Sequence, residues 1–318
     1  MNRRVVLIGI AGAAGWPLLA KAQGKPPVIG FLIAGNTEPT SLLEQFRSEM
    51  RNLGYVDGQN LRIEPRAGDA TPASLARLAD DLVGLNVNVI VTWQTPAVRA
   101  AKQATTRIPI VMAGAGDPVA TGVVASLAHP GGNITGMASF TPELAGKNIE
   151  LIRELLPAAK KLAALCNETD TFTKVFLEQV RAATTKAGFE LDTVMTSPDG
   201  VEATFKRIRD GGAEAVMIQP SLPIELCARL ALEAHLPAVC PQGAFAKLGG
   251  LFAYSGVFAE NFQRAADYVD RILKGAKPAD LPIQLPTMFD LAINLKTARA
   301  LGLTLPPAML ARAGTVIE

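Results

Sequence analysis

The stretch Ile108–Ala125, IPIVMAGAGDPVATGVVA, decides the fold of this chain. It opens with five residues of buried-strand character, Ile108–Met112, and passes into a turn of small residues, Ala113–Gly116. Asp117 and Pro118 follow, and this pair is typical of a helix start with an aspartate N-cap and proline in the first turn. A hydrophobic strand, a tight turn and a capped helix form half of a βαβ unit. The stretch therefore predicts an α/β fold with parallel strands.

The alternation of strand and helix patterns runs through most of the chain. Up to Ser139 it yields five strands, beginning with the apolar run Val28–Ala34, and from Lys161 to Tyr254 it yields a second set of similar size. Only short stretches, near 139–142 and 255–257, join the two sets. We predict two doubly wound parallel-sheet lobes joined by a hinge, with a ligand cleft between them.

The predicted organisation has four parts. Residues 1–22 are assigned to a signal peptide, residues 23–140 with about 257–284 to lobe one, and residues 141–256 to lobe two. The strand and helix within residues 285–318 are not assigned to either lobe.

The first 22 residues have the pattern of an export signal. Arg3 and Arg4 precede the apolar run Val5–Ala20, and small residues stand at both positions that a signal peptidase reads, so cleavage is expected before Gln23. A retained membrane anchor is the alternative, but glycines and Pro17 interrupt a run that is short for a span. We predict a periplasmic protein without stable membrane insertion, exported by the general or the twin-arginine route.

Composition excludes several classes of function. The chain has 31 basic and 29 acidic residues, and this near balance leaves no basic footprint for nucleic acid. Its cysteines, Cys166, Cys227 and Cys240, are too few for a disulfide framework, and Cys227 and Cys240 are the nearest pair for a single bridge. No CxxC or Cys/His ligand spacing is present, so we expect neither a metal nor another cofactor.

Catalytic motifs are missing from the sequence. It contains no Gly-x-Ser-x-Gly elbow, no Walker lysine loop and no Gly-x-Gly-x-x-Gly fingerprint. The turn Gly114–Gly116 lacks a third glycine, and the carboxylate of Asp117 behind it would repel a phosphate. His129 and His235 are the only histidines, and neither stands in a recognisable nucleophile–base pattern. We predict that the protein is not an enzyme.

The turns that follow the strands supply the candidate binding residues, because open parallel sheets place ligands at the carboxyl ends of their strands. The candidates are Asn36, Trp93, Gln94, Thr95, Ala115, Gly116 and Asp117 in lobe one, and Asn167, Glu168, Gln219, Ser221, Gln242 and Tyr254 in lobe two. Backbone amides at helix N-termini, with the hydroxyls of Thr95 and Ser221, are expected to hold a ligand carboxylate. Asp117 or Glu168 would match an ammonium group.

Simpler structural roles compete with several of these assignments. Asp117 and Thr95 are also good helix caps, and Glu168 stands in a polar loop where it would be solvated. Trp93 directly follows a buried strand, and it is either a packed core residue or a wall on which a ligand stacks. Gln219 and Tyr254 are stronger candidates, because a polar residue at the exit of a buried strand needs a partner.

Several short motifs resemble one known family. They are Gly54–Asn60 (GYVDGQN), Ile108–Pro118, His129–Gly136 (HPGGNITG), Ile293–Gly302 (INLKTARALG), and Leu305–Pro307 followed by Arg312-Ala313. In these motifs the chain resembles the periplasmic substrate-binding proteins of ABC transporters, in the group that includes tryptophan- and tyrosine-type binders. The resemblance implies a type I two-lobed protein that closes on one small molecule and delivers it to a membrane permease and its ATPase.

The resemblance also bears on the site and the ligand. The turn Gly114–Asp117 and Thr95 fall where such proteins hold amino or carboxylate groups. Trp93 and Gln94 depart from the small residues expected beside that threonine, which favours a flat aromatic acid over a standard amino acid. An amino acid, an aromatic carboxylate and an aliphatic carboxylate all remain open as ligands, and the protein is expected to be a monomer. A ligand-sensing module for a membrane receptor is the main rival function, and a periplasmic enzyme is the second.

Overall fold

The computed structural model describes residues 25–35, 39–139 and 142–318. The leader assigned to residues 1–22 and the candidate Asn36 lie outside the described residues. Within the described ranges, the strand and helix patterns of the sequence organise into two sheets, of five and seven strands.

The first sheet is parallel throughout, with the strand order β2-β1-β3-β4-β5. Its strands are β1 (Val28–Ala34), β2 (Arg62–Gly68), β3 (Val89–Trp93), β4 (Ile110–Ala115) and β5 (Ile134–Ala138). The helices between them are α1 (Pro39–Asn52), α2 (Pro72–Gly84) and α3 (Thr95–Ala104). Leucines of α2 and alanines of α3 are buried in one apolar cluster with β1, β3 and β4, so these two helices cover one face of the sheet.

The second sheet has the order β12-β11-β10-β9-β8-β6-β7. From residue 142 onward the chain forms, in order, α4 (Pro142–Leu155), β6 (Lys161–Asn167), α5 (Thr173–Ala187), β7 (Glu190–Thr196), α6 (Val201–Asp210), β8 (Ala215–Ile218), α7 (Ile224–Glu233), β9 (Ala238–Val239), α8 (Ala244–Lys247), β10 (Phe252–Gly256), α9 (Phe258–Leu273), β11 (Phe289–Asn294), α10 (Leu295–Ala300), α11 (Pro307–Ala311) and β12 (Thr315–Ile317). Strand β11 runs antiparallel to β10, and the other pairs are parallel. The prediction of an α/β fold with two parallel-dominated sheets is confirmed.

Helix α9 follows β10 of the second sheet but packs on the first. Its Phe262, Ala266 and Val269 are buried in one cluster with Phe31 of β1 and Val91 of β3. The chain then returns to the second sheet, where β11 and β12 form one edge. Three short segments therefore connect the sheets: residues 139–141, Val257 and residues 285–288. Below, lobe one denotes the first sheet with α9, and lobe two the second sheet with its helices.

The helix expected after Asp117 is not formed, and this part of the prediction is wrong. Asp117 does cap, because its Oδ1 accepts hydrogen bonds from the amides of Val119 (3.0 Å) and Ala120 (2.9 Å). A single turn follows, and it ends at Gly122, whose φ of 70° is left-handed. Val123 then enters the apolar cluster beneath α2 and α3. The crossover from β4 to β5 is therefore formed by turns and bends rather than by a helix.

All three cysteines are buried and free, so Cys227 and Cys240 do not form a bridge. Burial raises the pKa of the Cys227 thiol to about 12, which keeps it protonated and unreactive. In the ranges that the structure describes, no helix has the length and apolar character of a membrane span. The same ranges contain no cluster of three or more His, Cys, Asp or Glu side chains suited to a metal ion.

Candidate functional site

A cavity of about 50 Å³ lies between the two lobes, at the carboxyl ends of their strands. Its walls come from Trp93, Gln94, Thr95, Ala115, Gly116, Ser139, Asp170, Phe172, Pro220, Ser221, Pro241, Gln242, Ser255, Gly256, Phe258 and Asn261. The structure thus brings together the candidates Trp93, Gln94, Thr95, Ala115, Gly116, Ser221 and Gln242. They lie at strand ends that meet at one cavity, as expected where the carboxyl ends of parallel strands face each other.

Gln94 bridges the two lobes directly. Its Nε2 donates hydrogen bonds to the carbonyl oxygen of Pro220 (2.8 Å) and to Oε1 of Gln242 (3.3 Å). Its backbone has a φ of 73°, a left-handed conformation that costs a non-glycine residue about 1 to 3 kcal/mol. Both bonds exist only while the lobes are together, so the structure corresponds to a closed cleft.

Two aromatic rings occupy space that glycines leave empty. A Cβ built on Gly116 of lobe one would lie 2.4 Å from the ring of Phe172, which belongs to lobe two. A Cβ built on Gly114 would lie 2.4 Å from the ring of Trp93. Small residues at the end of β4 and directly after it therefore leave room for the two rings, which explains why these residues are small.

Trp93 combines the two roles that the sequence left open. Its ring packs at 4.9 Å from Phe258 and 5.5 Å from Phe262, measured between ring centroids, and it belongs to the apolar core of lobe one. It also lines the cavity, where its Nε1 is buried and has no hydrogen-bond partner among the described residues. It is both a core residue and a wall of the site.

A second donor faces the same space without a partner. The Nε2 of Gln242 is buried, and it makes no hydrogen bond within the described parts of the chain. An unsatisfied buried donor costs about 1 to 3 kcal/mol. Trp93 and Gln242 thus offer two N–H groups, one from each lobe, that an acceptor on a bound molecule would satisfy.

Asp170 supplies the negative charge of the cavity. It is only 5% exposed, and its carboxylate accepts hydrogen bonds from the amide of Phe172 (2.9 Å) and from Nε2 of Gln219 (2.9 Å). Burial raises the pKa of Asp170, against the opposing effects of hydrogen bonds from Ser221, Phe172 and Gln219 and the charge of Arg99. No lysine or arginine in the described ranges forms an ion pair with it. A buried carboxylate of this kind calls for a cationic partner.

Gln219 and Asn167 lie behind the cavity wall and hold the loop that carries Asp170. The Oε1 of Gln219 accepts from the amide of Asn167 (3.0 Å) and from the hydroxyl of Thr173 (2.8 Å), while its Nε2 bonds Asp170 and Ser221. The expectation that Gln219 needs a partner is met inside the protein. Gln219 and Asn167 are positioning residues here.

Three other candidates do not reach the cavity. The carboxylate of Asp117 accepts its two capping hydrogen bonds from the turn that follows it in the chain. Glu168 is exposed, because the loop after β6 points it to solvent. The ring of Tyr254 stacks on Phe289, with centroids 6.0 Å apart, on a side of β10 that does not line the cavity. The acid that lines the cavity is Asp170, and neither Asp117 nor Glu168 lies in its wall.

Sequence reasoning missed Asp170, Phe172, Phe258 and Asn261. Asp170 and Phe172 stand in the same strand-end loop as Glu168, so the loop was found but not the residues within it that turn inward. Phe258 and Asn261 come from α9, whose start at the lobe connection carries no strand-end signal. Asn261 is 4% exposed, and this burial of an amide beside the cavity appears only in the fold.

Comparisons of the sequence with known proteins give matches over most of the chain. The sequence model of a family described as ABC transporter substrate binding protein matches residues 40–317. A tyrosine-binding protein of Clostridioides difficile (strain R20291) is 27% identical over 263 residues, which are 80% of this chain and 75% of that protein.

Two solved structures share both fold and sequence with the chain. A conserved domain protein of Vibrio cholerae has a TM-score of 0.84 at 26% identity, covering 92% of this chain and 100% of that one. An ABC domain from Streptococcus pneumonia in complex with L-Trp has a TM-score of 0.83 at 26% identity, covering 92% and 99%.

Two lobes with a cavity between them define a binding protein of the type I periplasmic fold. The chain belongs to the family of ABC transporter substrate-binding proteins, as the sequence motifs predict. The description of this family is that of a solute-binding protein.

Proposed function

We propose that this protein is exported, closes on one small amino acid or related carboxylate, and delivers it to an ABC permease. The observation that carries the proposal is a set of buried polar groups around one cavity. The Nε1 of Trp93 and the Nε2 of Gln242 have no hydrogen-bond partner among the described residues, and the carboxylate of Asp170 accepts hydrogen bonds but has no ion-pair partner there. Two donors and one acid complement a molecule with a carboxylate and an ammonium group. The tyrosine-binding relative and the neighbour that holds L-Trp support the same ligand class.

Ligand binding and closure of the lobes are coupled because the binding groups come from different lobes. Trp93 belongs to lobe one, and Gln242 and Asp170 belong to lobe two. A ligand held by all three interacts with the complete set only when the lobes meet, so it stabilises the closed state by its differential affinity. The bonds from Gln94 to Pro220 and Gln242 add to the same state.

The family and the leader pattern support the proposed delivery and location. Substrate-binding proteins of ABC transporters hand their ligand to a membrane permease driven by an ATPase, and the leader pattern of residues 1–22 supports export to the periplasm. We propose a monomer that presents both lobes to the permease in the closed state.

Replacing Asp170 with asparagine tests the ligand class. In Asp170→Asn we expect at least a tenfold loss of affinity for an α-amino acid, because the charge that pairs with the ammonium is removed. The measurement is isothermal titration calorimetry after a thermal-shift screen of amino acids, aromatic acids, aliphatic acids and sugars. Glu168→Gln is the matched control, since Glu168 is an exposed acid of the same loop. Equal affinities for the two variants, or binding of sugars alone, would contradict the proposal.

The affinity is also expected to depend on pH in a direction set by Asp170. Burial raises the pKa of Asp170, so the carboxyl takes up its proton at a higher pH than an ordinary aspartate does. An ammonium group pairs with the ionised form only, and affinity should therefore fall as the pH is lowered through that raised pKa. Calorimetry in buffers of different ionisation enthalpy should detect proton release on binding, and Asp170→Asn should abolish it. A pH-independent affinity in the unaltered protein would rule out this role for Asp170.

A further inference from the structure

The first turn of α9 carries Asn261, a residue that the sequence patterns did not single out. We propose that the side-chain amide of Asn261 donates to the ligand carboxylate, so that the carboxylate faces lobe one and the ammonium faces Asp170 of lobe two; this rests on the function proposed above. Asn261 is 4% exposed and lines the cavity, and its side chain makes no hydrogen bond to any described residue. A buried amide without a partner costs free energy, so it calls for a polar group in the cavity.

Most other polar side chains of the cavity wall already have hydrogen-bond partners within the protein. These are Gln94, Thr95, Ser139, Ser221 and Ser255. The hydroxyl of Ser221 is shared among Asn167, Gln219 and Asp170. Among the described residues, the groups of the wall that lack a partner are the Nε1 of Trp93, the Nε2 of Gln242 and the side-chain amide of Asn261.

The first turn of α9 brings Asn261 to the same place as Trp93. The ring of Trp93 lies 4.9 Å from that of Phe258 and 5.5 Å from that of Phe262, measured between ring centroids. Phe258, Asn261 and Phe262 share one face of the helix, because residues three and four apart are neighbours on a helix surface. Asn261 therefore lies on the helix face that the indole ring covers, and both residues line the cavity. Lobe one thus presents two N–H donors from one place.

The charges around the cavity set the direction of the ligand. Helix α9 has 16 residues and begins with Phe258 in the cavity wall, so the partial positive charge of its N-terminus lies on the side of lobe one. Glu260 in the same turn forms an ion pair with Arg264, which offsets its negative charge. Asp170, of lobe two, is the only charged side chain that the described residues place in the wall. A carboxylate is therefore favoured toward α9 and an ammonium toward Asp170.

The remaining donor of the wall is compatible with this direction. Gln242 belongs to lobe two, but its Oε1 accepts a hydrogen bond from Nε2 of Gln94 in lobe one (3.3 Å). The side chain of Gln242 therefore lies at the junction of the lobes, where its Nε2 is placed to donate to the same carboxylate when the cleft is closed.

Calorimetry on two variants of Asn261 tests this inference, with L-alanine, L-tyrosine and L-tryptophan as the probes. For the probe that binds the unaltered protein most tightly, Asn261→Leu should lose about tenfold in affinity, because it removes a hydrogen bond to a charged group at nearly constant size. Asn261→Asp should lose about tenfold more than Asn261→Leu, because it places a second carboxylate against that of the ligand.

Gln263→Glu is the matched control. It makes the same change from amide to carboxylate at an exposed position of the same helix, and it should keep the affinity of the unaltered protein to within about twofold. A loss in Gln263→Glu equal to that in Asn261→Asp would assign the effect to general charge on α9 and overturn the inference.

The order of the affinities separates this inference from the proposed function. If Asn261→Asp binds as tightly as the unaltered protein or more tightly, Asn261 does not face the carboxylate, and an amino-acid-binding protein stays in place without this contact. If Asn261→Asp does not fold, as judged by circular dichroism, Asn261→Leu decides, and unchanged affinity in that variant overturns the inference. Binding of neither amino acids nor carboxylates by the unaltered protein would overturn both.

Discussion

Gly136→Ala is expected to reduce the free energy of unfolding by about 4 kcal/mol or more, enough to prevent stable folding of many domains. Gly136 lies in β5 with a φ of 128°, a conformation open essentially to glycine. A Cβ there would lie 2.3 Å from the carbonyl oxygen and 2.4 Å from the amide nitrogen of Met112. These are backbone atoms of the strand partner in β4, so the clash is relieved only by breaking the pairing of the two strands.

Neighbouring glycines of the same motif provide the controls. Gly131 and Gly132 also have positive φ, 71° and 62°, but a Cβ on either would meet no atom within 4 Å. Alanine at these positions costs only the left-handed backbone conformation, about 1 to 2 kcal/mol. Urea denaturation followed by circular dichroism measures all three variants. Equal losses in Gly136→Ala and Gly131→Ala would show that the contact with Met112 is not the cause.

Glu260→Ala is expected to lower the free energy of unfolding by about 3 kcal/mol, because it breaks a buried charged network between α9 and the third connection of the lobes. Glu260 is 4% exposed, and its Oε2 accepts from the amides of Thr287 (3.2 Å) and Met288 (3.1 Å). Its Oε1 accepts from the Thr287 hydroxyl and from Arg264. Alanine leaves these donors without their acceptor at the point where the chain returns to lobe two.

Lowering the pH should reproduce part of the loss of stability expected for Glu260→Ala. Burial by itself would raise the pKa of Glu260, but hydrogen bonds from Thr287 and Met288 and the charge of Arg264 outweigh it and lower the pKa. Because the pKa of Glu260 is lower in the folded protein than in the unfolded chain, its stabilisation is complete above the unfolded-chain pKa. The stabilisation is lost as the pH falls through the pKa of Glu260 in the folded protein. The unaltered protein should therefore lose stability on acidification over this range, and Glu260→Ala should lose less.

Asp267→Ala is the control for the hydrogen-bonded network around Glu260. Asp267 lies on the same helix, and it is exposed in a 4.0 Å ion pair with Arg271, a kind of pair worth about 0 to 1 kcal/mol. Thermal and urea unfolding over a series of pH values would compare the two variants. A loss in Asp267→Ala as large as that in Glu260→Ala would assign the effect to general charge on α9 and not to the network.

The sequence by itself determined the architecture. Periodic apolar patterns mark nearly every strand and helix, because burial of one face or both is a local property that repeats along the element. The motifs from Gly54 to Arg312 identify the family. The convergence of strand-end turns on a cleft follows from parallel pairing alone, and for this reason Trp93, Gln94, Thr95 and Ser221 could be placed before the fold was known.

Only the tertiary structure decided which residue of a turn faces the cavity. Glu168 and Asp170 are two acids of one loop, yet Glu168 is exposed and Asp170 is buried. Asp170 is held inward by a hydrogen bond from Gln219, which directly follows the neighbouring strand β8. Helix α9 follows a strand of the second sheet but packs on the first, and it contributes Phe258 to the cavity wall. Contacts between distant segments likewise set this arrangement. Local sequence patterns indicate how much of a residue is buried, but they do not identify the residues that it packs against. The site depends on those packing partners.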